Sequence, residues 1–272
     1  VASIDRINTV LNYPSRSVGG SNVLNEPITS VKAQDLTFYY PDASLPALEK
    51  LNFSVYKGEV MGIIGGTGSG KSTLLKLFMQ FYDPSEGKLL INDQAIDTLN
   101  PESVREKISY VPQQNYFFSD SVRGNLFYSN PGASDEKMLD SLETAQAMQF
   151  LPKEKPLEKT VARGGRNYSG GQRQRLAISR ALTRSASLYV FDDSFSALDY
   201  KTDQELRLAL QGKLNDAATI IVAQRVATIR HADKILVLEN GKVQGLGSHD
   251  ELMQTNQIYR EIAISQGEEE DV

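Results

Sequence analysis

Two stretches hold the residues with chemistry to do. The first is EVMGIIGGTGSGKSTLLKLF, in which Gly65 and Gly70 frame four residues and Lys71 and Ser72 follow at once. Glycines at that spacing let the backbone wrap a phosphate with no Cβ in the way, and the loop N–H groups turn inward. Gly65, Gly66, Thr67, Gly68, Ser69, Gly70, Lys71, Ser72 and Thr73 are therefore expected to bind the phosphates of a nucleotide. Lys71 would neutralise the β- and γ-phosphates, and the Ser72 hydroxyl would ligate Mg²⁺. The second stretch is LYVFDDSFSALD, where an apolar run ends on Asp192 and Asp193. Ligands of open α/β sheets bind at the carboxyl ends of strands, and Asp192 stands there to hold the same Mg²⁺. Whether Asp193 makes a catalytic pair with it depends on the rest of the chain.

These residues need a scaffold to hold them together. Strands are predicted near 31–40, 51–56 and 58–64, then LLIND, SYVP, LYVF, TIIVA, KILVLEN and KVQGLG. Helices are predicted from Lys71 to about Tyr82, with Leu74, Leu75, Leu77, Phe78 and Phe81 as the core side. Further helices fall at Ser169–Thr183, 200–213, 225–230 and twice within 249–265. Residues 114–168 read as a mostly helical insert broken by Pro131, Pro152 and Pro156. Apolar, β-branched strands alternating with helices predict an α/β fold, its mostly parallel sheet covered on both faces. Residues 1–13 read as a short helix with Ile4, Ile7 and Leu11 on one face, and residues 14–30 as a linker rich in Ser, Gly, Pro and Asn.

Composition narrows the class. The 272 residues are 40% hydrophobic, enough for a sizeable core, with net charge −5. Glu268, Glu269, Glu270 and Asp271 form an acidic tail at 267–272, and the remaining body is near neutral. No basic block points to a nucleic-acid partner. The absence of cysteine excludes disulfides and thiolate metal sites. No apolar run approaches the roughly 20 residues that span a bilayer. The chain starts at Val1, as expected of a piece of a longer protein.

A third motif, NYSGGQRQRLAISRAL, sets Ser169, Gly170, Gly171 and Gln172 at a helix start about twenty residues before Asp192. It resembles the signature motif of the ATP-binding-cassette (ABC) superfamily, and the other motifs follow in that family's order over essentially 31–265. The resemblance implies a P-loop NTPase core with an antiparallel β subdomain and a helical subdomain at about 114–168, together forming a nucleotide-binding domain over 31–266. It implies that Tyr40 stacks on adenine, that Gln113 reaches Mg²⁺ and the attacking water, and that Asp199, in Ser196–Asp199, crosses a dimer interface. The signature residues would close on the γ-phosphate held by a partner subunit. The implied reaction is ATP hydrolysis with Mg²⁺.

The segments NYFFSDSVRGNL, TVARGGRNYSGGQ and VASIDRINTVL resemble the exporter branch, with 1–13 ending the connection to a membrane domain. An exporter implies a place on the cytoplasmic face of a membrane, here the plasma membrane, its own and a partner's transmembrane domains, and a multidrug-type cargo. Four positions depart from the pattern. Arg163 stands where exporters carry an acid, and Tyr168 where Leu is usual. Asp193 replaces the Glu that polarises the attacking water, losing about 1.5 Å of reach. Gln224 replaces the switch histidine and cannot carry or shuttle a proton near neutral pH. The only histidines, His231 and His249, read as structural. Asp193, Gln224 and Gln113 thus form the expected catalytic set in an impaired site. The intact signature suggests a heterodimer in which it completes the partner's competent site. Rival expectations are an ATP-gated binding or regulatory module, or a non-transport ABC ATPase.

Overall fold

The computed structural model describes Ile4, Ile7, Asn8 and residues 18–267. The expected helix at 1–13, apart from those three residues, and the acidic tail beyond Gly267 lie outside it.

Five strands form a parallel sheet: β3 (Val60–Ile64), β6 (Ile108–Val111), β9 (Leu188–Asp192), β10 (Ala218–Val222) and β11 (Lys234–Glu239). The antiparallel strand β12 (Lys242–Gly247) closes one edge, giving the order β12-β11-β3-β10-β9-β6. Every residue of β9 and of β10 is buried, as sequences covered on both faces require. Side chains alternate between two cores, following the two-residue strand period. Met61, Ile63, Val190, Ile220 and Leu236 enter one core; Ile64, Phe191, Ile221 and Val237 enter the other.

The first core is shared with an antiparallel sheet of β1 (Ser30–Phe38), β2 (Leu48–Tyr56), β4 (Glu86–Ile91) and β5 (Gln94–Ala95), ordered β2-β1-β4-β5. The helix Lys71–Phe78 packs between the sheets through Leu74, Leu77 and Phe78. The second core takes in the helices Asp135–Thr144, Gly170–Leu182 and Tyr200–Lys213 through Leu142, Ile178 and Leu206. Because β3, β9 and β10 lie side by side and run the same way, the loops leaving them meet on one edge of the sheet.

Three expectations need correction. The helix from Lys71 ends at Phe78, not near Tyr82. Gln80 adopts a left-handed φ of 51° and donates its buried amide to the carbonyls of Ile96 and Leu99. The chain therefore turns away, leaving Phe81 50% exposed rather than in the core. The first strand stops at Phe38, so Tyr40 sits in a loop. Residues 114–168 are less helical than expected. Besides Val122–Phe127 and Asp135–Thr144 they hold short 3₁₀ turns and a small antiparallel pair, β7 (Asp120–Ser121) and β8 (Thr160–Val161). The described part of the expected linker is packed down: Leu24 and Ile28 are buried, and Asn22 bridges to Leu99.

Candidate functional site

The loop between β3 and the helix Lys71–Phe78 is shaped by its glycines. A Cβ on Gly65 would stand 2.0 Å from the carbonyl oxygen of Leu238. Gly70 has φ 107° and no room for a side chain beside Leu48. Gly66 and Gly68 instead face open space, and a Cβ there would meet nothing within 4 Å. The Lys71 ammonium is held at the centre of the loop by the carbonyls of Gly65 (2.7 Å) and Gly66 (2.8 Å) and by Ser69 Oγ (3.3 Å). Burial lowers its pKa, while Asp193 and then Asp192 oppose that shift. A fixed cation at a helix N-terminus can receive polyanionic phosphate.

The loop opens on a cleft of about 550 Å³, walled by Lys71, Ser72, Gln113, Asp192, Asp193 and Gln224. That volume lies within the roughly 300–1,000 Å³ of small-molecule sites. Tyr40 also lines the cleft, as do Thr67 and Thr73. Its hydroxyl is 3.1 Å from Thr73 Oγ1 and accepts from Lys76 Nζ at 3.3 Å. The ring packs edge-on against Phe38 and Tyr82.

Asp192 closes β9, and its Oδ2 accepts a hydrogen bond from the Tyr110 hydroxyl at 3.0 Å. Burial, then the charge of Asp192, holds the Tyr110 phenol protonated well above its usual range. Burial also pushes the Asp192 carboxyl up, which this hydrogen bond partly offsets. Tyr110 was not singled out from the sequence; its position on β6, beside β9, is what brings it to Asp192. Ser72, Asp192 and Gln113 offer hydroxyl, carboxylate and amide oxygens around one cleft. That all-oxygen donor set fits Mg²⁺.

Asp193 follows in the left-handed region, φ 48°, with its N–H donating to the Val222 carbonyl at 2.9 Å. Its Oδ2 accepts from two amides, Gln224 Nε2 at 3.0 Å and Gln113 Nε2 at 3.3 Å. Burial raises this carboxyl's pKa; the hydrogen bonds from Gln113 and Ser196 and the charges of Lys71 and Arg225 pull against it. Asp193, Gln113 and Gln224 therefore come together as one cluster, with no imidazole in it. His231 is exposed before β11, and His249 Nδ1 lies 2.8 Å from the Tyr259 hydroxyl on the C-terminal helices.

The other predicted residues stand apart from the cleft. Ser169 caps the helix Gly170–Leu182 in a reciprocal box: its Oγ accepts from Gln172 N–H, and Gln172 Oε1 accepts from Ser169 N–H. Asp199 caps the helix Tyr200–Lys213, accepting from the backbone and hydroxyl of Thr202. None of Ser169, Gly170, Gly171, Gln172 or Asp199 lines the cleft. Gly171 packs so closely that a Cβ would sit 2.9 Å from the Ala197 carbonyl oxygen. Gln174, another residue missed in the sequence, ties the two segments together. It accepts from Ala197 N–H at 3.0 Å and donates to Ser196 Oγ at 3.3 Å. Arg163 donates to the Tyr116 hydroxyl at 3.3 Å. Tyr168 is buried against the Phe150 ring. Among the described residues no helix is long and apolar enough to cross a membrane.

Known proteins resemble this chain in sequence and fold. The model of the ABC transporter family matches residues 48–196. An uncharacterized ABC transporter ATP-binding protein of Mycobacterium tuberculosis is 38% identical over 96% of this chain and 46% of its own length. The alpha-hemolysin translocation ATP-binding protein of Escherichia coli is 36% identical, over 92% of this chain and 36% of its own. The ATP-dependent lipid A-core flippase of Pasteurella multocida is 37% identical, over 84% and 40%. The chain thus spans less than half of the curated relatives it matches. The solved structure of a bacterial Atm1-family ABC exporter with ATP bound superposes with a TM-score of 0.90 at 32% identity, covering 98% of this chain and 48% of that one.

Proposed function

The chain belongs to the ABC transporter family, and from that premise we propose that it is the nucleotide-binding domain of one half of a heterodimeric exporter. Its own site binds Mg-ATP and hydrolyses it poorly. In this reading residues 31–266 are the nucleotide-binding domain, and residues 1–13 lead from a membrane domain. The loop N–H groups and Lys71 bind the phosphates, and Tyr40 lies against the base. Ser72, Asp192 and Gln113 hold Mg²⁺, which when bound neutralises phosphate charge. Gln224 donates to the γ-phosphate, and Asp193 orients water from too short a side chain. Ser169, Gly170, Gly171, Gln172 and Asp199 serve the partner's nucleotide. ATP clamps the two domains together, and hydrolysis at the partner's site releases them. The membrane domains then alternate access across the membrane for a multidrug-type cargo, with this domain on the cytoplasmic face.

One observation carries this reading: among the described residues, the only carboxylate lining the cleft besides Asp192 is Asp193, whose Oδ2 is already engaged by Gln113 and Gln224. A base must lie within hydrogen-bond range of its proton, and a displacement near 1 Å lowers rates on the order of 10²-fold. The residues that bind the ground state are meanwhile intact, so affinity and turnover are expected to part company. Equilibrium Mg-ATP binding and steady-state turnover of the purified chain test this. Tight binding with near-background turnover is expected, and turnover should appear when a partner carrying Glu and His at the equivalent positions is added. Brisk turnover by the chain alone overturns the reading. A partner that dimerises on ATP without restoring turnover would point to an ATP-gated regulatory module.

A further inference from the structure

The switch-position loop is held by a residue from the far end of the chain. Gln266 directly follows the last described helix, Gln257–Ser265. Its Oε1 accepts from Val226 N–H at 2.8 Å, and its Nε2 donates to the Gln224 carbonyl at 2.8 Å. One side-chain amide thus fixes the backbone on both sides of Arg225. The local chain has no substitute for it. Val226 opens the short helix Val226–Ile229, and the residue at its cap, Arg225, does not cap it, its side chain donating instead to the Leu198 carbonyl at 3.4 Å. A first-turn N–H has no partner within its own helix, so Gln266 supplies the cap from 40 residues away. The supporting helix is anchored by Tyr259 and Ala263, both fully buried. The Gln224 side chain in turn reaches Asp193 Oδ2.

We propose that Gln266 is a positioning residue for Gln224. By clamping the Gln224–Val226 backbone from the C-terminal helix, it sets where the Gln224 amide points at the γ-phosphate end of the cleft. This rests on the proposed role of Gln224, and it makes the C-terminal helix a structural part of the nucleotide site. ADP lacks the group that Gln224 would meet, so loss of the clamp affects ATP and spares ADP.

The test compares wild type, Gln266→Ala and Gln266→Glu in the whole chain. Glu keeps the acceptor for Val226 but, ionised, has no N–H for the Gln224 carbonyl. Competition of Mg-ATP and Mg-ADP against a fluorescent nucleotide should show ATP affinity falling about two- to tenfold in both variants, with ADP affinity unchanged. Amide exchange at Val226 should speed up in Gln266→Ala and stay near wild type in Gln266→Glu. The Gln224 side-chain amide resonance should move in both. Equal losses for ATP and ADP, or an unmoved Gln224 resonance, overturn the proposal. If wild type binds neither nucleotide, the proposed function fails. The Val226 exchange and the Gln224 resonance then still decide whether Gln266 positions that loop.

Discussion

At the helix end of the cleft, Lys71 sits on three loop oxygens, and glycines open the way to a phosphate. At the strand end, Asp193 is buried beside two glutamine amides that it already satisfies. The first region is built from loop backbone and one lysine, with Gly65 and Gly70 at positions that leave no room for a side chain. The second depends on the length and charge of two or three side chains. In the proposed function, binding and turnover rest on these different materials, so one can be weakened while the other stays whole. Gln113 and Gln224 converge on Asp193, so replacing any one of the three also alters the hydrogen bonding of the others.

The largest expected effect comes from rebuilding the strand end. Asp193→Glu together with Gln224→His should raise hydrolysis at this site on the order of 10²-fold in the assembled transporter. An unchanged rate would mean that something other than these two residues limits the site. Next, damage to the helix end should reverse the pattern. Lys71→Ala should weaken Mg-ATP binding roughly 10- to 150-fold, the range for a hydrogen bond to a charged group, as read by nucleotide titration. If affinity held, the cradle would not be where the phosphates bind.

The smallest effect concerns stability. Burial holds the Asp193 pKa above the ordinary 3.8, so the folded state binds this proton more tightly than the unfolded state. Its ionisation therefore opposes folding as pH rises from 3.8 through the raised folded value. Asp193→Asn keeps an acceptor oxygen for both glutamines and tolerates φ 48°. Its Tm should exceed that of wild type at pH 7, and the gap should close as pH falls below 3.8. A gap independent of pH would assign the difference to packing rather than charge.

Much of the site is legible because its motifs are local. The phosphate loop is nine consecutive residues, and the Ser169–Gln172 capping box is four. Asp192 is marked by the buried strand before it. The residues that escaped notice act across long separations. Tyr110 meets Asp192 82 positions away, and Gln174 reaches Ser196 across 22. Phe81 misled for a related reason: helical spacing continued past Phe78, but Gln80 left the helix to satisfy two carbonyls of the neighbouring loop.

The sequence by itself determined the glycine-rich motif before Lys71 and the α/β alternation, because residue type and short-range spacing are translated directly into position by the backbone periods. Asp193 and Gln224 stand out only against the pattern of the family that the chain resembles. Only the tertiary structure decided that Asp193 serves two glutamines at once, that Tyr110 shields Asp192, and that Gln266 caps the loop carrying Gln224. Those contacts depend on strand order and on how the last helix docks. They place remote side chains within 3.3 Å of one another, and no local pattern records that proximity.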